Sequence, residues 1–155
     1  MRPEKQSIIN EYSDGLKDTE FVFLADYRGL SVEQFSELRK QLRQEGSTMQ
    51  VVKNCLFSKA IDGSDWGALN EMLEGPTAVI SGDGDVTVVA KKLKAYRKDN
   101  EGPAIKGGSV EGSVLTSADI DELANLPSRE ILLGKLVGTI AAPMNQFVGV
   151  LNQKV

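Results

Sequence analysis

Phe21-Val22-Phe23-Leu24-Ala25-Asp26-Tyr27-Arg28-Gly29-Leu30-Ser31-Val32-Glu33-Gln34 is the stretch on which the fold reading turns. Five consecutive apolar residues, 21–25, have no alternation of polar and apolar, so both faces of this strand must be covered, as in the middle of a sheet. Four residues of turn follow. Ser31 then caps a helix, and Gln34 three residues later completes a capping box. A buried strand running straight into a capped helix is the signature of helices layered on a sheet.

The same alternation continues outward. Upstream, Ile8, Ile9, Tyr12 and Leu16 fall at helical spacing over 3–17. Downstream, Val32, Phe35, Leu38 and Leu42 form a stripe that Gly46 terminates. Residues 48–52, 77–81, 104–110 and 113–115 read as strands, and 54–61, 86–96 and 117–123 as helices. Leu69, Met72 and Leu73 suggest one more helical turn before Gly75-Pro76 interrupts it. On the last helix of the middle region but one, Val89, Leu93 and Tyr96 face inward. Its outward Lys91, Lys92, Lys94, Arg97 and Lys98 are answered by Asp99 and Glu101 and read as a solvated face. The expectation is an α/β (α+β) fold: a compact sheet of four to five strands layered with helices over 1–125, and a separate helical segment over 126–155.

Composition narrows function by exclusion. The 155 residues contain no His, which removes the commonest general base and zinc ligand. Cys55 is the only cysteine, so neither an internal disulfide nor a multi-cysteine metal site can form. A reducing, cytoplasmic setting is expected. Gly82-Asp83-Gly84-Asp85 lacks the Lys-Ser/Thr of a phosphate loop and the remainder of an EF-hand. No catalytic set, metal or cofactor is expected; a small enzyme would have only Asp26, Asp83, Asp85 and Cys55 to work with, and no spacing unites them.

The net charge of −4 provides no overall positive field for nucleic acid, but the charge is unevenly divided. Residues 1–60 carry nine basic and nine acidic side chains, and 61–130 seven against thirteen. Local clusters therefore matter. Arg28 leaves the first strand at an exposed turn beside Tyr27, a ring that could stack on a base. Lys53 and Asn54 leave the second strand at the corresponding place. If the two strands are neighbours and run the same way, Arg28, Lys53 and Asn54 converge on one sheet edge. Arg39 and Arg43, at i and i+4, and Lys59 are candidate extensions of that patch.

Residues 131–155 hold two lysines and no acid. Pro127-Ser128-Arg129-Glu130 is a helix start with Ser128 as its cap. Leu132, Leu136, Ile140, Met144, Phe147, Leu151 and Val155 then recur every three or four residues, widened by Leu133, Val137 and Val148, opposite a small or neutral face. Such a rod is longer than a domain of this size is wide and is expected to project. Leu136-Val137-Gly138-Thr139-Ile140 returns as Phe147-Val148-Gly149-Val150-Leu151. Eleven residues are close to three helical turns, so both copies present the same face and make two equivalent docking stations. Pro143 should bend the rod or mark the joint. Two other readings stand beside docking: a single packed core helix, and a membrane span, against which Lys135, Asn145, Gln146 and Pro143 all speak.

Read together, residues 23–30, Leu38-Arg39-Lys40-Gln41-Leu42-Arg43, Val51-Val52-Lys53-Asn54, Leu73-Glu74-Gly75-Pro76-Thr77-Ala78, Lys106-Gly107-Gly108 and Leu126-Pro127-Ser128-Arg129-Glu130 resemble the L-ten family of bacterial large-subunit ribosomal proteins, in the same order along nearly the whole chain. The resemblance implies a structural protein at the base of the ribosomal stalk. Its N-terminal domain would bind large-subunit rRNA beside ribosomal protein L-eleven, with Arg28, Lys53 and Asn54 foremost and Arg39, Arg43 and Lys59 behind them. Its C-terminal helix would dock dimers of the acidic stalk protein L-seven/L-twelve through Leu132, Leu136, Val137, Ile140, Met144, Phe147, Val148 and Leu151, and so support recruitment of the translational GTPases. The repeat then counts two dimers. Cys55 stands where the family pattern leads one to expect Thr or Ser. The runner-up is an assembly-factor relative that shares the RNA-binding domain and lacks stalk docking.

Overall fold

In the computed structural model, which describes residues 2–127 and 129–153, the chain divides into two compact units, residues 1–125 and 126–155. The first contains α1 (Pro3–Lys17), β1 (Phe21–Asp26), α2 (Val32–Gln44), β2 (Ser47–Val52), α3 (Asn54–Ile61), a 3-10 helix (Gly67–Met72), β3 (Thr77–Gly82), α4 (Val86–Asn100), β4 (Ala104–Val110), β5 (Ser113–Thr116) and α5 (Ser117–Asn125). The second is α6 (Arg129–Gln153).

The five strands form one open antiparallel sheet in the order β2-β3-β1-β4-β5. β1 is central, as its unbroken apolar run requires, and Phe21 to Ala25 are fully buried. Alternate residues serve opposite layers. Phe21, Phe23 and Ala25 join Met49, Ile80 and Ile105 beneath α2, α4 and α5, with Leu38, Leu42, Leu93 and Ile120. Val22 and Leu24 join Val52 and Val79 beneath α1, α3 and the 3-10 helix, with Leu16, Phe57, Ile61, Trp66 and Leu69. The unit is therefore three layers, helix–sheet–helix.

Local signals act as expected at α2. Ser31 Oγ accepts from Gln34 N–H, and Gln34 Oε1 accepts from Ser31 N–H, closing the capping box. Val32, the first residue of α2 after its cap, is the exception to the buried stripe: it is 84% exposed. Tyr96 Oη donates to Gln34 C=O and ties α4 to the start of α2. Burial first, and Glu37 second, hold that phenol above its ordinary 10.0.

Two sequence expectations change. β1 and β2 do run the same way but are not neighbours: β3 lies between them, antiparallel to both. The basic face of α4 is answered by other elements rather than by Asp99 and Glu101. Lys92 pairs with Glu45 at 2.7 Å, Lys94 donates to Asn125 at 2.8 Å, and Arg97 faces Asp121 at 3.9 Å. α6 runs as one helix through Pro143, about 37 Å at 1.5 Å per residue. The capping role expected of Ser128 lies outside the described residues, as do Lys154 and Val155.

Candidate functional site: a clamped turn at one end of the sheet and an apolar helix

Antiparallel pairing brings four strand ends together. Ala25 of β1 sits opposite Ala78, Val52 of β2 opposite Thr77, and Asp26 opposite Ala104 of β4. The exits of β1 and β2 and the entrances of β3 and β4 therefore share one end of the sheet. The turn entering β3, Leu73-Glu74-Gly75-Pro76, lies in the middle of it, exposed at Glu74 and Gly75.

Two side chains grip this turn from opposite elements. Asn54, the first residue of α3, donates through Nδ2 to the carbonyls of Leu73 (3.1 Å) and Gly75 (2.7 Å). Lys106, on β4, donates through Nζ to the carbonyls of Glu74 and Pro76 (2.7 Å for the latter) and to Thr77 Oγ1 (3.2 Å). Successive carbonyls thus alternate between an amide and an ammonium. Arg28 lies over the same turn: its Nη2 is 3.3 Å from the point a Cβ on Gly75 would occupy, and Lys106 Nζ is 4.0 Å from that point. Gly75 itself has φ +68°, a backbone state that favours glycine.

Arg28 is held loosely. Its N–H donates to Asp26 Oδ1 at 3.0 Å, while the guanidinium stands 3.7 Å from Asp26 Oδ2 with 69% of the side chain exposed. Lys53 is exposed at the N-cap of α3 and has no carboxylate partner among the described residues. Arg28, Lys53 and Asn54 do meet at one end of the sheet, with the β3 entrance between them rather than through neighbouring strands. Asn54 has both amide hydrogens engaged within the chain, which leaves only its oxygen for a ligand.

The remaining candidates lie elsewhere. Arg39 stacks on Phe35, 4.9 Å from the ring centroid, and Phe35 in turn meets Tyr27 edge-on at 6.4 Å. Tyr27 is thereby drawn into protein packing rather than left free to stack on a base. Arg39 and Arg43 border a shallow trough along the outer edge of β2, facing Ile8, Glu11 and Tyr12 of α1. Lys59 is exposed in the last turn of α3. The residue that sequence reasoning left without a role is Lys106; the one signal for it is its place in Lys106-Gly107-Gly108, a basic residue before a pair of glycines in an otherwise buried strand.

On α6 the apolar stripe is open along the described residues. Leu132, Leu136, Val137, Ile140, Met144, Phe147, Val148 and Leu151 are all exposed, Met144 and Phe147 by 72% and 67%. Exposure of this many large apolar side chains on one helix is what a soluble protein avoids unless a partner covers them.

Residues 1–98 match the family model for ribosomal protein L10, and residues 126–153, the whole of the apolar helix, match the model for the ribosomal protein uL10 C-terminal region. The chain belongs to the ribosomal protein L10 family. It is 41% identical over 151 residues to the large ribosomal subunit protein uL10 of Geobacter sp. strain M21, covering 97% of this chain and 87% of the relative. It is 42% identical over 144 residues to that of Shouchella clausii, covering 93% and 87%. The protein of the same name from Bacillus cereus strain B4264 is 40% identical over 143 residues, 92% of this chain and 86% of its own. The chain is accordingly a structural protein of the large ribosomal subunit and not an enzyme, and it is cytoplasmic as part of the ribosome.

Proposed function

We propose that this chain is the scaffold at the base of the large-subunit stalk. Its first unit binds large-subunit rRNA, beside ribosomal protein L-eleven, through the sheet end that carries Arg28 and Lys53, with Asn54 shaping the turn between them. Arg39, Arg43 and Lys59 extend the basic surface as outlying contacts. Its second unit docks dimers of the acidic stalk protein L-seven/L-twelve, one on the Leu136-Val137-Ile140 station and one on the Phe147-Val148-Leu151 station, with Leu132 and Met144 completing their anchors. The docked dimers recruit the GTP-bound translation factors.

The observation that carries this reading is a coincidence on α6. The residues that match the uL10 C-terminal region are the same ones that repeat at eleven residues and leave their apolar face uncovered. Helix-in-groove recognition uses this spacing of anchors. The match also favours a stalk scaffold over an assembly-factor relative without docking. The helix is long and apolar enough to cross a membrane by length and composition, but its wholly uncovered stripe repeats with helical period rather than covering all sides.

Filter binding of a large-subunit rRNA transcript tests the RNA half. The phosphate contacts of Arg28 and Lys53 alone release enough counterions that raising salt from about 50 to 200 mM weakens binding by at least about tenfold, and Arg28→Gln lowers that dependence. An affinity indifferent to salt refutes the assignment.

A further inference from the structure

Lys106 is the cation hydrogen-bonded to the carbonyls of the clamped turn, and its chemistry there differs from that of Arg28. An ammonium has three N–H donors and no acceptor. Those three already have three acceptors within the chain: the carbonyls of Glu74 and Pro76 and the hydroxyl of Thr77. No donor is left for a phosphate oxygen. Arg28 is the reverse case, with a five-donor guanidinium engaged, among the described residues, only by a distant Asp26 oxygen and more than two-thirds exposed.

The two groups are coupled through Gly75. Both terminal nitrogens lie within 4.0 Å of the place where its Cβ would be, so the turn's position decides where the guanidinium can rest. Removing the ammonium would leave the Glu74 and Pro76 carbonyls without their donor and release one side of the turn, while Asn54 still held Leu73 and Gly75 on the other.

We propose that Lys106 is a positioning residue for RNA binding: it holds the Gly75-Pro76 turn beneath Arg28 and so presents the guanidinium to a phosphate, without ligating phosphate itself. This rests on the reading of the Arg28 end of the sheet as the rRNA surface.

A double-mutant cycle on the full chain tests it, read by filter binding of a large-subunit rRNA transcript across a salt series, with thermal unfolding of each variant as the control for folding. Arg28→Gln is expected to weaken binding by about tenfold or more, the worth of a charge-assisted hydrogen bond, and to lower the salt slope by about 0.7–0.9. Lys106→Met alone should reproduce most of that loss. In the Arg28→Gln background it should cost less than a further twofold and leave the slope where it is. Multiplying losses and a second fall in slope of similar size would make Lys106 a direct phosphate ligand and overturn the proposal. Gly75→Ala provides the second route should Lys106→Met unfold: it keeps the ammonium and crowds the guanidinium, and its effect must likewise vanish once Arg28 is gone. If Arg28→Gln itself leaves binding unchanged, the rRNA reading of this surface fails and the proposal falls with it, an outcome distinct from additivity of the two losses.

Discussion

Replacing Phe147 with alanine should separate docking from folding. Phe147 keeps 67% of its surface exposed on α6, so its truncation removes no packing from the chain's own core. A phenylalanine side chain presents on the order of 200 Å² for burial, and two-thirds of that, about 130 Å², remains for a partner to cover. At about 25 cal/mol per Å² this is worth about 3 kcal/mol, which corresponds to roughly a 150-fold loss of affinity at the second station. The first station, anchored by Leu136, should be untouched, since it lies about three helical turns away. Isothermal titration of purified stalk-protein dimers into the full chain would read this as two equal sites in the parent and one strong plus one weak site in the variant, at an unchanged unfolding temperature of the first unit. Leu136→Ala should give the mirror image. Loss of both sites together would mean that the stations are not independent. A fall in unfolding temperature by several degrees would mean that Phe147 belongs to the chain's own core, and the docking argument would fail.

Two further expectations concern the first unit. Gly108, opposite Phe23 in the β1–β4 pairing, leaves no room for a side chain: a Cβ there would stand 2.4 Å from the Phe23 ring and 2.7 Å from the Val22 carbonyl. Gly108→Ala should therefore destabilise the unit by about 2 kcal/mol or more in urea unfolding, because the intruding atom meets central-strand backbone; a neutral result would show that the β1–β4 spacing is not as close as described. Asp119 accepts from Thr116 N–H and from Thr116 Oγ1, both at 2.8 Å, and these bonds, the backbone one first, hold its carboxyl below the ordinary 3.8. A carboxyl lowered in the folded state contributes stability that is complete above the unfolded value and is lost as pH falls through the folded one. Asp119→Asn should thus unfold more readily than the parent near pH 7, and the difference should shrink as pH falls below the ordinary 3.8; a difference that stays undiminished in acid would refute the assignment.

Much of this architecture can be read locally. The five apolar residues 21–25 require cover on both faces, and β1 is the middle strand. Ser31 and Gln34 cap α2 because both partners lie within one turn of each other in sequence. What escapes a local reading is long-range pairing. Nothing in residues 21–52 announces that β3, some thirty residues further on, inserts between β1 and β2, since a strand's apolar run states how deeply it is buried and not which strand lies beside it. For the same reason Lys106 has no visible task in the sequence. Two of its three acceptors are main-chain carbonyls about thirty residues away, and a carbonyl carries no residue signature. Asn54 shows the same limit from the other side: a polar residue beside Lys53 looks wholly free for RNA, but both its amide hydrogens hold the turn and only its oxygen is left for a ligand. The repeat on α6 was legible because it needs no tertiary pairing at all.

The central claim is that one chain carries two stations. Co-expression with the acidic stalk protein, followed by native mass spectrometry of the purified complex, counts them directly. One copy of this chain with four stalk-protein chains is the expected mass. Six stalk chains would contradict the count read from the eleven-residue repeat, and a chain that emerges alone would contradict docking on α6 altogether.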